Sequence, residues 1–247
     1  MNIEVQNLTF RYGSRLALDR LSFTLHPGLN ILLGPNGAGK STLFALLTQL
    51  YALQEGDVHI DNQPLSKAKR AYLKKLGVVF QQSTLDLDLS VEQNLRYYGA
   101  LHGIGARESR ALALPLLEHF ALKDRLHDKV RTLNGGHRRR VEIVRALMHS
   151  PSFLLLDEPS AGLDPATRAR LGEAVRDICR QRPLCVLWAT HIIEEVSDDD
   201  NVLILHHGKL RDTGTARKLK DKYAGAQLSD IFGQLTSEGE GDVLVRI

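Results

Sequence analysis

One eight-residue stretch constrains the fold of this chain more than any other. Residues 34–41, Gly-Pro-Asn-Gly-Ala-Gly-Lys-Ser, fit the pattern G-x-x-x-x-G-K-[ST]. A continuous apolar run, Leu29 to Leu33, comes just before it, and leucines at helical spacing follow it: Leu43, Leu46, Leu47 and Leu50. The order strand, glycine loop, helix is the one in which backbone N–H groups and a helix start converge on phosphate oxygens. A glycine turn without a ligand is the alternative, and the placement argues against it.

The other apolar runs predict how this unit is completed. Short runs recur at 78–80, 153–156, 186–188 and 202–205, with helical patterns between several of them. They predict an α/β fold in which a mostly parallel sheet is flanked by helices. Near the amino terminus, apolar residues alternate as in half-buried strands, which predicts an additional antiparallel β subdomain: Ile3, Val5, Leu8, Phe10, Leu21, Phe23 and Leu25.

The apolar pattern in the middle of the chain predicts an inserted helical subdomain. From Ser90 to His149 the apolar spacing is helical throughout, and Pro115 is expected to kink or start a helix there. We expect the core in residues 1–82 and 151–214, the helical insertion in 83–150, and a helical tail in 215–247. The tail is charged at its start, so we expect an appendage rather than core.

Composition narrows the function classes. Lys and Arg total 32 against 29 Asp and Glu, a net charge of +3 that is too small for a general nucleic-acid coat. We expect Cys179 and Cys185 to be reduced, buried thiols. The start resembles no signal peptide, and no run approaches the roughly 18 apolar residues of a membrane span. The sequence therefore predicts a soluble, cytoplasmic protein.

Polar residues at the ends of the predicted strands indicate chemistry on the bound phosphate. Lys40 is expected to reach the β- and γ-phosphates and Ser41 to ligate Mg²⁺. The run 153–156 ends in two carboxylates, of which Asp157 is placed to hold Mg²⁺ and Glu158 to polarise an attacking water. A helix-capping role before Pro159 is the alternative for these acids.

Two further side chains end neighbouring strands. His191 follows the run 184–189, and although a lone histidine is usually structural, this position at the sheet edge favours a functional role. Gln81 ends the run 78–80 and is placed to reach the metal or its water. Gln82 lies one step further from the strand and is the weaker candidate.

The segment Leu133-Asn134-Gly135-Gly136-His137 adds a family resemblance. It is similar to the L-S-G-G-Q signature of the nucleotide-binding domain of ATP-binding cassette (ABC) transporters. Gly162-Leu163-Asp164 resembles the D-loop of that family, and Tyr12 the aromatic residue that stacks on adenine; His191 and Gln81 match its H-loop and Q-loop. The motifs follow the family order from Tyr12 to His191.

The resemblance implies an ATPase that works as a head-to-tail dimer. Catalysis would involve Lys40, Gln81, Glu158 and His191. Residues that would bind ATP are Tyr12, Gly34, Pro35, Asn36, Gly37, Ala38, Gly39, Lys40, Ser41 and Thr42. Each ATP-binding site would be completed by the signature and D-loop of the second subunit: Asn134, Gly135, Gly136, His137 and Asp164. Mg²⁺ would be held by Ser41, Gln81 and Asp157.

The signature departs from the family pattern at two positions. Asn134 stands for serine and offers an amide with two donors on a longer arm, so we expect the phosphate contact to be preserved but repositioned and hydrolysis to be retained. His137 stands for glutamine. This change is either neutral or, because histidine titrates near neutrality, a source of pH-dependent turnover.

Other polar clusters receive simpler interpretations. Arg138-Arg139-Arg140 is expected to form a solvated face or an interface contact rather than a nucleic-acid patch. His206-His207 lies on a predicted strand, where alternation sends the rings to opposite faces and disfavours joint metal ligation. Asp198-Asp199-Asp200 is expected to be a solvated link.

Within the family, residues 86–95 and 228–236 resemble the exporter branch that handles drugs, polysaccharides and lipids. More narrowly, residues 78–89 and the Asn-Gly-Gly-His signature resemble exporter ATPases encoded with alcohol dehydrogenases that depend on pyrroloquinoline quinone. These likenesses imply a separate integral membrane permease, docked near Gln81 and residues 83–92, with this subunit peripheral on the cytoplasmic face of the membrane. The alternatives are a soluble ABC ATPase that acts on ribosomes or DNA, and a regulator that binds nucleotide without hydrolysing it.

Overall fold

Two sheets organise the computed structural model of the protein, which describes residues 1–237. The strands are β1 (Ile3–Tyr12), β2 (Arg15–Leu25), β3 (Gly28–Leu33), β4 (Glu55–Ile60), β5 (Gln63–Pro64), β6 (Leu76–Val79), β7 (Phe153–Asp157), β8 (Cys185–Thr190), β9 (Asn201–His206) and β10 (Lys209–Thr215). The helices are α1 (Lys40–Leu47), α2 (Leu65–Lys74), α3 (Val91–Leu101), α4 (Ala106–His119), α5 (Gly135–Leu147), α6 (Pro165–Gln181), α7 (Ala216–Lys222) and α8 (Leu228–Ser237). Short 3-10 turns span Lys123–Arg125, Val130–Thr132 and Ile193–Glu195.

The larger sheet has the strand order β10-β9-β3-β8-β7-β6. Its five strands from β9 to β6 pair in parallel, and β10 closes the edge against β9 in the antiparallel sense. Every residue of β7 and β8 is buried, because helices cover both faces of the sheet. The predicted α/β fold with a mostly parallel sheet is confirmed.

The smaller sheet has the order β2-β1-β4-β5 and is antiparallel throughout. The alternating apolar residues of β1 and β2 face inward and share one apolar core with the leucines of α1 and with Leu32 and Leu203 of the larger sheet. α1 is therefore held between the two sheets, and the predicted antiparallel β subdomain is confirmed.

The middle of the chain is helical, as predicted. α3, α4 and α5 pack into the apolar core on the other face of the larger sheet. A capping box of Ser90 and Gln93 starts α3. Pro115 lies inside α4 and does not start a helix. The domain boundaries inferred from the sequence stay a prediction.

The expectation that the tail is an appendage is wrong for its described part. Ala216 and Leu219 of α7 and Leu228 and Ile231 of α8 are fully or almost fully buried, in the same core as β9. Their spacing of three residues places each pair on one helix face, which covers the sheet. Residues 238–247 of the predicted tail lie outside the described residues.

Two polar clusters also differ from expectation. Asp200 is buried and accepts two hydrogen bonds from Arg176, at 3.1 and 2.6 Å, so only Asp198 and Asp199 are exposed. The rings of His206 and His207 lie with centroids 4.0 Å apart rather than on opposite faces. Strand alternation fails there because His207 has a φ of 48° and begins the turn. Cys179 and Cys185 are free thiols, as predicted; Cys185 is buried, whereas Cys179 is only partly buried, and burial raises the pKa of each to about 12.

Two features of residues 1–237 concern membrane spans and metal ions. No helix in this range is both long and apolar enough to cross a membrane. In the same range, no group of three or more His, Cys, Asp and Glu side chains is arranged to hold a metal ion.

Candidate active site

Four neighbouring strands of the larger sheet end at one edge, and each delivers a predicted site residue there. The glycine loop follows β3, His191 follows β8, Asp157 ends β7, and Gln81 lies just beyond β6. The register pairs Leu33 with Thr190 and Asp157 with Ala189, so these ends are level. Parallel strands carry their carboxyl ends together, which is why local sequence alone was enough to place these residues.

The glycine loop is shaped by close approach of the backbone. A Cβ at Gly34 would lie 2.5 Å from the carbonyl oxygen of Leu205. Gly39 has a φ of 111°, and a Cβ there would lie 2.9 Å from the carbonyl oxygen of Ala17. Backbone atoms on both sides block any side chain, so the sequence must place glycine at both positions.

The start of α1 is suited to an anion. Its N-cap is Gly39, which provides no side-chain cap, and no acidic residue occupies the first turn. The first N–H groups of a helix are therefore available at the positive end of its dipole. Lys40 is buried, and its Nζ donates to the carbonyl oxygens of Gly34 and Pro35 at 2.7 and 3.1 Å. Burial lowers the pKa of Lys40, and nearby Glu158 opposes that shift.

Glu158 lies at the centre of the polar contacts. Its Oε1 is 3.5 Å from Lys40 Nζ and 3.2 Å from His191 Nδ1, and its Oε2 accepts from Gln81 Nε2 at 3.4 Å. Lys40, Gln81 and His191, the other three residues predicted to be catalytic, thus each contact Glu158. The backbone of Glu158 is in the left-handed region, with a φ of 45°. Such strain costs about 1–3 kcal/mol and concentrates at functional sites.

The predicted metal ligands fit Mg²⁺ by their chemistry. Asp157 is buried, and its pKa is raised by burial and then by the charge of Glu158, while Lys40 and Arg139 lower it. Ser41 and Gln81 line the adjoining cavity. A carboxylate, a hydroxyl and an amide oxygen form a hard oxygen set, which suits Mg²⁺ and leaves positions for phosphate oxygens and water.

A cavity of about 410 Å³ opens at this edge. It is lined by Tyr12, Arg15, Leu16, Ala17, Asn36, Gly37, Gly39, Lys40, Ser41, Thr42, Gln81, Glu158, His207 and Gly208. The ring of Tyr12 meets those of Phe10 and Tyr51 edge to face, with centroids 5.0 and 5.9 Å away. Sequence reasoning missed the lining residues from the start of β2 and from the turn after β9, because only the tertiary structure brings them to the loop.

The family comparison shows which class of protein carries this cavity. The sequence profile of the ABC transporter family matches residues 18–161. The chain belongs to the ABC transporter family. In this family the chain is an ATP-binding subunit that hydrolyses ATP, as predicted.

Curated relatives of the ABC family agree with this assignment. The chain is 35% identical to the Nod factor export ATP-binding protein I of Burkholderia thailandensis, over 94% of this chain and 76% of the relative. It is 32% identical to a linearmycin resistance ATP-binding protein of Bacillus subtilis, over 96% and 75%. It is 35% identical to a daunorubicin resistance ATP-binding protein of Streptomyces coeruleorubidus, over 94% and 75%. The predicted likeness to exporter-type ABC ATPases is confirmed.

Solved structures agree as well. An ATP-binding subunit of an ABC transporter superposes with a TM-score of 0.81 and 27% identity, covering 95% of this chain and 99% of that one. A bacterial Atm1-family ABC exporter with ATP bound gives a TM-score of 0.79 and 26% identity, covering 94% of this chain and 41% of that one. None of these relatives tests the narrower resemblance to systems with quinone-dependent alcohol dehydrogenases, which stays a prediction.

The ABC signature lies apart from the cavity. Among residues 1–237, those that line the cavity include no member of the segment Asn134–His137, nor Asp164. Asn134 caps α5, its Oδ1 accepting from the backbone N–H of His137 at 2.8 Å. Asp164 caps α6 in the same way, accepting from Thr167 N at 2.9 Å. The predicted site residues therefore form two separate groups, one around the glycine loop and one at the starts of α5 and α6.

The interpretation of Arg138-Arg139-Arg140 as a solvated face is wrong for Arg139, and the alternative of an interface contact stays a prediction for Arg138 and Arg140, which are partly exposed. Arg139 is buried and donates to the carbonyl oxygens of Phe80 and Gln81, both at 2.7 Å, and to Glu142 at 2.9 Å. Arg138 and Arg140 also donate to backbone carbonyls. The signal was present, because Arg139 falls on the buried stripe of α5, with Gly136, Ile143 and Leu147. The signature helix is thereby tied to the Q-loop.

A buried carboxylate links two catalytic loops, which sequence reasoning also missed. Glu195 accepts hydrogen bonds from the Ser160 hydroxyl and from Trp188 Nε1, the latter at 3.1 Å. Ser160 lies two residues after Glu158, and Glu195 lies four after His191. The contact therefore joins the loop of the catalytic glutamate to the H-loop.

Proposed function

We propose that two copies of this chain close head to tail around ATP, hydrolyse it between them, and thereby drive a separate integral membrane permease of an export system. The observation that carries the proposal is the separation of the predicted site into two groups. Lys40 and the neighbouring loop residues line the cavity, whereas Asn134 and Gly135 at the start of α5 are exposed and do not line it. A second copy is the simplest source of α5 donors for the γ-phosphate.

Gly135 supports this arrangement. It is exposed, and a Cβ added there would meet no atom within 4 Å. Nothing within the described chain requires glycine at this position, in contrast to Gly34 and Gly39. A close approach of phosphate to the N–H of Gly135, in a second subunit, provides the reason.

The contacts of Glu158 support its role as general base. Its carboxylate can accept a proton from water, while Gln81 and His191 hold it from two sides. When bound with ATP, Mg²⁺ would neutralise charge on the β- and γ-phosphates, and Ser41, Gln81 and Asp157 are the residues that would hold it. Lys40 would donate to the same phosphate oxygens in place of the loop carbonyls.

A second depression supports a permease partner. A groove of about 660 Å³ runs between the core and the helical insertion, lined in part by Thr84, Asp86 and Leu89 of the segment expected to dock. Leu50, Tyr97 and Leu101, also in its lining, keep between 66% and 67% of their surface exposed. Large apolar side chains exposed together mark an interaction site. We propose that the permease inserts here and holds this subunit at the cytoplasmic face of the membrane.

The substitution Glu158→Gln tests the dimer. It keeps the shape of the side chain but removes the base, so hydrolysis should fall by about 10²–10⁴-fold while ATP still binds. ATP should then hold the dimer closed, which size-exclusion chromatography measures as a doubling of mass.

The double variant Lys40→Ala with Glu158→Gln is the matched control and should stay monomeric, because it loses the phosphate contact. A Glu158→Gln protein that remains monomeric at saturating ATP would refute the head-to-tail arrangement. So would a wild-type rate per subunit that does not change with dilution.

A further inference from the structure

The helix α2 carries a concentration of positive charge that the function described so far does not use. Lys67, Lys69, Arg70 and Lys74 lie on it, Lys75 follows it, and the helix contains no acidic residue. All five side chains are exposed. Within residues 1–237, none of the five forms an ion pair or a side-chain hydrogen bond, whereas the cations Arg176, Lys220 and Lys222 each pair with an aspartate.

The charges occupy a defined face. Leu65 and Tyr72 are buried and fix the inner side of α2. Lys67, Arg70 and Lys74 are spaced by three and four residues, so they form one stripe on the side opposite to the buried pair. We call these three residues the basic stripe.

One side of α2 borders the groove that we propose as the docking site of the permease. Leu73 lines the groove and is 37% exposed, and Lys69, four residues earlier, shares its side of the helix. The basic stripe therefore lies beside a surface that, under the proposed function, faces the membrane protein. This placement favours a membrane lipid over nucleic acid as the anionic partner.

We propose that the basic stripe binds the anionic phospholipid headgroups of the membrane in which the permease sits. The inference rests on the proposed function, in which the permease occupies the neighbouring groove. Cytoplasmic segments of membrane proteins carry an excess of Lys and Arg, so they would repel the stripe, whereas the anionic leaflet attracts it. Nucleic acid is less suited, because α2 exposes no aromatic ring for stacking, and Tyr72 is buried with its hydroxyl donating to Leu47 O at 2.7 Å.

Vesicle binding by the purified full-length chain tests the proposal. The variant Lys67→Gln/Arg70→Gln/Lys74→Gln should bind phosphatidylcholine vesicles containing phosphatidylglycerol about 100-fold more weakly than wild type, at about fivefold per cation. Wild-type binding should weaken with added salt and be lost on pure phosphatidylcholine.

The matched control is Arg107→Gln/Lys129→Gln/Lys218→Gln. It removes the same charge from exposed positions that form no ion pair among the described residues. It should bind vesicles like wild type. Both triple variants should keep the wild-type unfolding temperature, because the altered side chains are exposed and form no ion pair or side-chain hydrogen bond within residues 1–237.

Equal losses in the two triple variants would overturn the proposal, because net charge rather than the stripe would then govern binding. Binding of a short duplex oligonucleotide that depends on the stripe, without vesicle binding, would overturn it in favour of a nucleic-acid partner. The assay uses neither ATP nor permease. A failed vesicle test together with an intact ATP-dependent dimer of Glu158→Gln would therefore reject the lipid contact alone.

Discussion

The starts of α1 and α5 are alike in their electrostatics and differ in how the chain surrounds them. Neither has an acidic residue in its first turn, so each presents the positive end of a helix dipole. The N-cap of α1, Gly39, provides no side-chain cap, and Lys40, the first residue of the helix, is buried, so the chain itself completes this anion site. α5 is capped by Asn134, and Gly135 beside it lies open. The start of α1 is therefore enclosed by its own chain, whereas the start of α5 is open on one side, where a phosphate bound to a second subunit could approach.

The largest expected effect is at the enclosed start. Lys40→Ala removes the cation that would replace its loop contacts with phosphate contacts, so ATP affinity should fall by about 100-fold or more. Titration with a fluorescent ATP analogue measures this loss.

Lys218→Ala is the control, because it removes one exposed cation from α7 far along the chain from the glycine loop, and it should bind like wild type. An unchanged affinity in Lys40→Ala would mean that the α1 start alone holds the nucleotide, and the comparison of the two starts would lose its basis.

At the open start, Gly135→Ala should separate binding from turnover. The added methyl group meets no atom of the described chain, so folding and ATP affinity should be unchanged. It should nevertheless obstruct the approach of a second subunit's phosphate and lower kcat by about 10- to 100-fold. This loss does not exceed the loss of kcat that follows removal of one whole oxyanion-hole donor.

Gly233→Ala is the matched change, since Gly233 also lies in a helix with no atom within 4 Å of the added Cβ. It should leave kcat unchanged. If Gly135→Ala hydrolyses ATP at the wild-type rate, the open space at α5 has no role in turnover.

The cap of α5 predicts a smaller effect. Asn134→Ala leaves the His137 N–H without its acceptor and should cost about 1 kcal/mol of unfolding free energy, or about 2–4 °C in Tm. Asn134→Ser keeps an acceptor for the cap and a donor for phosphate, so both stability and hydrolysis should be retained. Thermal unfolding and a steady-state ATPase assay on the two variants separate these roles. Equal Tm values for Asn134→Ala and wild type would show that the cap contributes nothing.

The enclosed region was also the more predictable one from sequence. Each of its residues follows an apolar run, and the parallel register carries strand ends to one edge, so Asp157, Glu158 and His191 could be placed from local pattern. Tyr12 was placed beside the loop by resemblance, and it does line the cavity.

The environments of Arg139, His207 and α7 could not be predicted, because the tertiary structure places these residues differently from what their local sequence indicates. Arg139 was interpreted from its charge, although its helical register puts it among buried residues, where carbonyls of the Q-loop and Glu142 satisfy it. His207 was interpreted from strand alternation, which its φ of 48° interrupts. The charged residues of α7 obscured the apolar pair that joins the core. For Arg139 and α7 a strong local charge hid a weaker helical periodicity, whereas for His207 a local backbone turn broke the periodicity of the strand.

The smallest effect concerns His137, at the open start. Burial, followed by the charges of Arg140 and Arg125, lowers its pKa from 6.5, so it is neutral above that pH in the folded chain. Profiles of ATPase rate against pH for wild type and His137→Gln should therefore superimpose above pH 6.5. In the unfolded chain His137 titrates at its ordinary pKa and binds the proton more readily than in the fold. Its contribution to stability is therefore lost as pH falls through 6.5, and His137→Gln should remove that small loss in thermal unfolding. Rate profiles that diverge above pH 6.5 would show that the second subunit's phosphate raises the pKa of His137, and pH-dependent turnover would then have a physical basis.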